Sequence, residues 1–568
     1  MYNLLIGGAA GQGVDTLTAM LERILKRAGN NVFTYRDLMS RIRGGHNFSL
    51  IRFGVRDIAS HSYVLDGMIA LNEETIELHK DKVKSNGFIL CDSKLILPEA
   101  DAADPRLIKL PLSDTAKELG NAVVAGSIAL GAALKLMGEG LEQCADVLAL
   151  SVKSEFVGLN LKAFEAGFGA VEVRFAHGGG RAAAAAADAG GIGRILLNGN
   201  KAIALGALAA GLKFYSAYPM SPSTSIMEYL SSKMIESGVV VEQAEDEIAA
   251  INMAIGASYA GATAMIGTSG GGFCLMVEAL GLSGMAEIPL VIVNVQRPGP
   301  TTGLPTRTEQ SDLKFVVSAS QGEFPRMVIA VKNQEDCFYQ TIRAFTIAEK
   351  YQIPVIILSD QYVGDSTATL NSFDLSGVSQ SGLNESCEPE YLRYRYSDDG
   401  VSPRKLPGNQ CCFVTADSDE HDEHGMITES ADVRVRMMDK RMKKLELLQK
   451  ELQEPEFLGD KDFETLLIGW GSTWGPISEA ITLLNSNSGM KFGALVFGDV
   501  FPLPTEKITQ MAARAKRIIN IEQNATGQLA GLIREYTGVQ MTGSVLKYDG
   551  RQICADEIVA AINKEVGK

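Results

Sequence analysis

The run from Glu242 to Arg297 decides the fold. Its central pieces read Glu247-Ile248-Ala249-Ala250-Ile251, then Ala264-Met265-Ile266-Gly267-Thr268-Ser269-Gly270-Gly271-Gly272, then Leu290-Val291-Ile292-Val293-Asn294-Val295-Gln296-Arg297. The first is an apolar Gly/Ala helix entered through a carboxylate, the second a short strand that breaks into a glycine turn, the third an apolar run of strand length. Helices alternating with such strands make an α/β domain with a mostly parallel sheet. Ile248 to Val277 holds no charged residue and would suit a membrane span by length. Gly256, Gly261, Gly267 and Gly270 to Gly272 divide it into helix, strand and turn, and its Ala/Ser/Thr content lowers its hydrophobicity, so the membrane reading is set aside.

The same alternation continues on both sides. Residues 2 to 6 form an apolar strand, Gly7 to Gly13 a glycine-rich turn, and Val14 to Ala28 an amphipathic helix with Leu17, Leu21, Ile24 and Ala28 on one face. Strands follow at Asn31 to Tyr35, Phe48 to Phe53 and Phe88 to Leu90, with an apolar helix from Asn121 to Met137. Residues 178–192 are Gly/Ala low complexity without side chains able to form a core, and read as a linker. The expected organisation is therefore a first α/β domain over 1–177, the linker 178–192, a second α/β domain over 193–375, a polar and then charged connecting segment over 376–460, and a third α/β domain over 461–568.

At 568 residues and 46% apolar content the chain has material for several cores. A net charge of −15 without a basic cluster argues against nucleic acid, whose binding rests on Lys and Arg neutralising phosphates. The first eight residues lack the basic and long apolar regions of a signal peptide, which points to the cytoplasm. Eight cysteines show no C-x-x-C spacing, so no iron-sulfur site is expected in this chain. His421-Asp422-Glu423-His424 has metal-ligand chemistry but no recurrent ligand spacing, and is read as loop structure; no metal is assigned.

Several motifs carry chemistry beside a plainer structural reading. Gly8-Ala9-Ala10-Gly11-Gln12-Gly13 after a strand suits a phosphate at a helix N-terminus, or is simply a tight turn. Ser40 to Asn47 adds Arg41 and Arg43 on a flexible backbone, which could grip the phosphates of coenzyme A or form a solvated contact loop. In Tyr218-Pro219-Met220-Ser221-Pro222-Ser223-Thr224-Ser225 the hydroxyls of Ser221, Ser223 and Thr224 crowd a helix start, an arrangement that donates to an anion; N-capping accounts for one of them. Among Glu242, Glu245, Asp246 and Glu247, only Glu247 precedes a long apolar run, so it enters the core, where desolvation raises its pKa and poises it for proton exchange.

Together these residues resemble the α subunit of 2-oxoacid:ferredoxin oxidoreductases with the γ domain fused at its N-terminus. Gly8 to Gly13 and Ser40 to Asn47 look like γ-domain signatures. Tyr218 to Thr224 resembles the family's Y-P-I-T-P-S-S with Met220 and Ser221 replacing Ile and Thr, and Gln296 to Pro300 with Pro305 to Leu313 resembles a second α signature. Gly400 to Arg404, Glu420 to Glu423, Glu522 to Gln528 and Lys547 to Arg551 extend the likeness over nearly the whole chain.

The resemblance implies three α/β domains: a γ-type domain, a pyrimidine-binding domain for thiamine diphosphate and a transketolase C-terminal-like domain. It implies oxidative decarboxylation of a 2-oxoacid with coenzyme A as co-substrate, giving acyl-CoA, carbon dioxide and electrons for ferredoxin, with the reverse also open. By the family pattern Glu247 hydrogen-bonds the aminopyrimidine of the cofactor, beside a wall that includes Thr268, Ser269 and Gly270. Ser221 and Arg297 would hold the substrate carboxylate, and Gly11, Gly13, Arg41 and Arg43 would serve coenzyme A. Arg307 could meet a second carboxylate, favouring 2-oxoglutarate, or bind its neighbour Glu309; pyruvate, branched-chain and aryl 2-oxoacids stay open. Thiamine enzymes usually anchor diphosphate and magnesium through G-D-G and a later Asn, and this chain has Phe497-Gly498-Asp499-Val500 and Tyr548-Asp549-Gly550-Arg551 but no G-D-G. The implied site is therefore shared with a β subunit that carries magnesium and a [4Fe-4S] cluster, in a dimer of αβ heterodimers. Two other classes compete: an NAD-dependent dehydrogenase using Gly8 to Gly13, with Arg36-Asp37 where a ribose-binding acid would stand, and a non-catalytic subunit keeping only the fold.

Overall fold

The computed structural model describes residues 1–39, 45–175, 194–378, 391–408, 412–487 and 489–566. Two compact units emerge, residues 1–197 with 366–372, and residues 198–365 with 373–568.

The first unit is built on one eight-stranded sheet. Tyr2–Ala9 pairs in parallel with Leu65–Ala70, and antiparallel with His46–Gly54, which in turn pairs antiparallel with Asn31–Leu38. Val14–Arg27 covers the sheet as expected, with Leu17, Leu21 and Ile24 in the core beside Leu4, Ile6 and Phe53. The helices Ala125–Leu136 and Ser154–Gly169 approach so closely that a Cβ on Gly131 would lie 2.1 Å from the Phe164 carbonyl oxygen. The far edge is completed by Thr367–Asn371 and Arg194–Asn198. Both were expected in the second domain. The first sheet reclaims them because Asn31–Leu38 leaves an open edge, which Thr367↔Thr34 and Ala368↔Phe33 pairing closes. The boundaries drawn at 193 and 375 move inward accordingly.

The second unit holds two sheets. In the seven-stranded sheet Met327–Ala330, Pro354–Asp360, Leu290–Gln296, Ala264–Thr268, Phe214–Ala217 and Val240–Gln243 are parallel in that spatial order, with Asp499–Phe501 antiparallel at one edge. The five-stranded sheet orders Glu456–Gly459, Phe492–Phe497, Thr465–Trp470, Arg517–Glu522 and Gly543–Leu546. Its first strand begins inside the segment expected to be a connection, and pairs antiparallel with Phe492–Phe497. One apolar core, from Ile251 and Ile266 to Trp470 and Phe497, joins both sheets, so the second and third expected domains form one unit. The charged helix Ala431–Leu448 is fixed by buried ion pairs: Lys440 and Lys444 reach Glu287 at 2.7 and 2.5 Å.

Candidate functional site

Four loops meet at the carboxyl ends of adjacent parallel strands of the seven-stranded sheet, where open α/β sheets bind ligands. They follow Phe214–Ala217, Val240–Gln243, Ala264–Thr268 and Leu290–Gln296, and carry Ser221, Glu247, Ser269–Gly272 and Arg297.

Glu247 opens the helix Glu247–Tyr259, and Asp246 caps it, its Oδ1 accepting from the Ala249 amide at 2.6 Å. The two neighbouring acids thus divide: Asp246 satisfies the helix end, while Glu247 turns inward and is 4% exposed. Burial pushes the Glu247 carboxyl upward and the neighbouring Asp246 charge adds to the shift. Its Oε1 has no hydrogen-bond partner among the described residues. It lies over the glycine turn, where a Cβ on Gly272 would meet Thr268 Oγ1 at 2.2 Å and Glu247 Oε1 at 2.6 Å. Gly272 is therefore required by space. Thr268 and Ser269 are fully buried, and the Ser269 hydroxyl also lacks a partner.

Arg297 reaches across to the Tyr218–Thr224 loop, Nη1 donating to the Ser221 carbonyl oxygen at 2.6 Å, and its Nε is buried without a partner. The sequence-derived pair Ser221 and Arg297 is thus brought together. Asn200 steadies this loop, donating to the Pro222 carbonyl oxygen and to Ser225 Oγ at 2.9 and 2.8 Å. Ser223 is directed elsewhere: it is buried and its hydroxyl donates to the Met220 carbonyl oxygen at 2.7 Å, closing the loop on itself. Thr224 begins the helix Thr224–Ser237, so of the three crowded hydroxyls one proton is already engaged inside the loop.

Two polar residues complete the site that single-residue reading did not single out. Asp312, inside the second α signature, sets its carboxylate against Gly270, where a Cβ would lie 2.4 Å from Oδ2. Asn294 Nδ2 donates to Asp312 Oδ2 at 3.1 Å, and the Asp312 amide donates to Gln296 Oε1 at 3.0 Å. Although Asp312 keeps a partly exposed edge, its surroundings push its carboxyl up to about 6, opposed by Asn294 and by the Arg297 charge. An Asn within the apolar strand Leu290–Gln296 was the legible mark, because an amide in such a strand needs a partner.

The second α signature packs against Glu522 to Gln528 and Lys547 to Arg551 within the same unit. The Gln310 amide donates to the Gln523 carbonyl oxygen at 2.7 Å, its Oε1 accepts from the Gln523 amide at 3.1 Å, and its Nε2 donates to the Trp470 carbonyl oxygen at 2.8 Å; Gln528 Nε2 donates to the Ser311 carbonyl oxygen at 2.7 Å. Arg307 places its stem against Gly550, and the Thr308 amide donates to the Gly550 carbonyl oxygen. Of the near-matches to a diphosphate anchor, Asp499 is held by Arg343 through two bonds of 2.6 and 2.7 Å.

In the first unit Gly11 and Gly13 line a pocket of about 720 Å³ together with Thr16, Leu112, Val124 and Phe156. Gly13, at φ 84, starts Val14–Arg27 without a side-chain cap, so the first amides of a 14-residue helix face that end. Arg41 and Arg43 lie outside the described residues. The dehydrogenase alternative fails on topology. The strand after the first helix, Asn31–Leu38, is separated from Tyr2–Ala9 by the antiparallel strand His46–Gly54 instead of pairing beside it in a parallel sheet, and Arg36 is ion-paired to Glu22 at 2.7 Å while Asp37 is buried. His421 is buried with Nδ1 2.9 Å from the Asp419 carbonyl oxygen, and among the described residues no group of three His, Cys, Asp or Glu is placed to hold a metal ion. No helix among them is long and apolar enough to cross a membrane.

These features define an α/β subunit with a candidate ligand site at the carboxyl ends of a parallel sheet. Residues 205–440 match the thiamine diphosphate-binding family model of pyruvate flavodoxin/ferredoxin oxidoreductases, and residues 3–170 match the pyruvate ferredoxin/flavodoxin oxidoreductase model. The chain is 30% identical to the 2-oxoacid:ferredoxin oxidoreductase subunit alpha of a Sulfolobus species, over 99% of this chain and 96% of that one. It is 30% identical to the 2-oxoglutarate synthase subunit KorA of Methanothermobacter thermautotrophicus, over 65% of this chain and 98% of that one. A solved 2-oxoglutarate:ferredoxin oxidoreductase from Magnetococcus marinus, with 2-oxoglutarate, coenzyme A and succinyl-CoA bound, superposes with a TM-score of 0.92 at 30% identity, covering 100% of this chain and 99% of that chain. The chain belongs to the 2-oxoacid:ferredoxin oxidoreductases, as an α subunit with the γ domain fused at its N-terminus.

Proposed function

We propose that this subunit works with a separate β subunit to convert 2-oxoglutarate and coenzyme A to succinyl-CoA and carbon dioxide, passing electrons to ferredoxin. The observation that carries the reading is Glu247: a buried, upward-shifted carboxyl whose Oε1 is unpartnered and set against a glycine that leaves no room for a Cβ. An orphaned buried acceptor of this kind fits the ring nitrogen of an aminopyrimidine, so the residues present suit thiamine diphosphate. When bound, the cofactor supplies the nucleophilic carbon and the electron sink. Glu247 would hold a hydrogen bond to its pyrimidine. Gly270 and Gly272 leave room for the carboxylates of Asp312 and Glu247, and Thr268 and Ser269 would form part of the same wall. Arg297 offers its fork to the substrate carboxylate from a position set by Ser221, with Ser221 and Thr224 hydroxyls on the same loop.

Magnesium, the diphosphate anchor and the [4Fe-4S] cluster belong to the β subunit, since Asp499 is committed to Arg343 and this sequence has neither G-D-G nor C-x-x-C. Arg307 is the source of the 2-oxoglutarate preference, and two relatives named for 2-oxoglutarate support that acid. The pocket along Gly11, Gly13 and Thr16 would take coenzyme A, with the amides of the helix N-terminus for its phosphates; Arg41 and Arg43 are the cations that the sequence offers for the same role. The assembly is a dimer of αβ heterodimers. The test is acyl-CoA formation by the co-purified complex from a panel of 2-oxoacids: 2-oxoglutarate is expected to lead, and no acyl-CoA from any of them would overturn the reading.

A further inference from the structure

Asn200 belongs to none of the four loops that build the site. It stands in the first turn of the helix Gly199–Ala209, ahead of the strand Phe214–Ala217, and it is fully buried. Its side chain nevertheless reaches the loop that carries Ser221 with two hydrogen bonds. We propose that Asn200 is a positioning residue for substrate binding: it fixes the main chain of that loop so that Ser221 and Arg297 meet where the 2-oxoacid carboxylate is held.

A side-chain amide is a planar fork with two donors. One hydrogen goes to the Pro222 carbonyl oxygen at 2.9 Å and the other to Ser225 Oγ at 2.8 Å, so the two bonds fall on either side of Ser223 and Thr224. Ser223, between them, is folded inward, its amide and its hydroxyl both donating to the Met220 carbonyl oxygen, at 2.9 and 2.7 Å. Ser221 and Thr224 stay partly exposed. The Ser221 carbonyl oxygen, which accepts from Arg297 Nη1 at 2.6 Å, lies one residue before the carbonyl that Asn200 holds. That one residue is Pro222, whose ring fixes φ and passes a displacement on stiffly.

The helix behind Asn200 has no slack. A Cβ on Gly199 would lie 2.3 Å from the Val363 carbonyl oxygen, and one on Gly206 would lie 2.4 Å from the Phe338 carbonyl oxygen. The amide itself is backed by Gly364, where a Cβ would lie 2.9 Å from Asn200 Oδ1. That oxygen is buried and has no hydrogen-bond partner. An unmet acceptor in a buried amide opposes folding and offsets what the two donated bonds contribute. Leucine, of similar shape, would lose both bonds and the unmet acceptor together, so the fold gains little from asparagine here. The loop gains a two-pronged anchor.

This inference rests on the assignment of Ser221 and Arg297 to the substrate carboxylate, and the experiment separates the two. In the co-purified complex, KM and kcat are measured for the 2-oxoacid that is turned over best, with the wild type, Asn200→Leu, Arg297→Lys and the double variant. Asn200→Leu is expected to raise this KM by about tenfold with kcat within about twofold and the KM for coenzyme A unchanged. Its melting temperature should stay within about 3 °C of the wild type. In the Arg297→Lys background it should add less than about twofold to the KM, because both substitutions act on one contact. Ser225→Ala, which removes one of the two acceptors, should raise the KM by about threefold and is the readout if Asn200→Leu does not accumulate. An unchanged KM in Asn200→Leu and Ser225→Ala, or the same rise with and without Arg297→Lys, would overturn the role of Asn200 while leaving the proposed function standing. An unchanged KM in Arg297→Lys itself would remove the assignment of the carboxylate, and the role of Asn200 with it.

Discussion

Two glycine turns in this chain follow the same local recipe, an apolar strand into glycines into a helix, yet the folded molecule uses them in opposite ways. Gly11 and Gly13 sit at φ 95 and 84, in the left-handed region, and a Cβ on either would meet nothing within 4 Å. There glycine supplies conformation, and the space beyond it is a pocket. Gly270 and Gly272 have ordinary φ, and a Cβ on either would collide with Asp312 or with Thr268 and Glu247. There glycine supplies room for two carboxylates. A glycine-rich turn after a strand is one signal in sequence and two devices in structure.

The largest effect that tests this contrast comes from the carboxylate over the second turn. Glu247→Gln keeps the shape but not the charge, and turnover should fall on the order of 10²–10⁴-fold with little change in melting temperature; near-normal activity would move the cofactor elsewhere. Gly272→Ala forces the added methyl onto Thr268 and Glu247, which should destabilise by about 1–3 kcal/mol and depress turnover as well. Gly11→Ala, strained by its positive φ but free of collisions, should cost roughly 1–2 kcal/mol of stability and leave turnover at saturating coenzyme A intact. If both variants lose turnover alike, the two turns are not the different devices described.

Arg307→Ala should lower efficiency on 2-oxoglutarate by about 2 kcal/mol while leaving 2-oxobutyrate similar or better, the scale for removing one partner of a buried charge pair. An equal loss on both acids would make Arg307 structural, its stem merely packing on Gly550. Arg297→Lys exchanges a fork for a point charge and should raise the KM by about tenfold with a smaller change in kcat; an unchanged KM would remove Arg297 from the site.

The smallest effect is on stability. Because the Asp312 carboxyl titrates near 6 in the folded chain, above its ordinary 3.8, the native state binds a proton more tightly than the unfolded state does. Stability is therefore lost as pH rises from about 4 to about 6, and the full penalty is present above that. Asp312→Asn should raise the melting temperature at pH 7.5 by about 2 °C and change it less at pH 4.5. The reverse order would show the ionised form to be the stabilising one.

Much of this was legible because strands buried on both faces read as continuous apolar runs. Leu290 to Val295 and Pro354 to Leu358 were plain, and the structure extends each by one or two residues. The edge strands were not: Thr367–Asn371 and Arg194–Asn198 are short and partly exposed, so their sheet is chosen by an open edge far away in sequence. At the site, Glu247 stood out because a carboxylate ahead of an apolar helix must find a purpose. Asp312 did not, since a polar residue in a loop with Glu309, Gln310 and Ser311 around it has no local mark of confinement. Ser223 shows the converse, a hydroxyl in a suggestive cluster that the fold turns back onto Met220.

The central claim is that this chain holds one wall of a cofactor site that another subunit completes. Calorimetric titration of thiamine diphosphate with magnesium into the isolated chain, and into the chain with its β subunit, tests it most directly. Tight binding only in the complex, weakened there by Glu247→Gln, is the predicted result. Tight, magnesium-dependent binding by the isolated chain would contradict it.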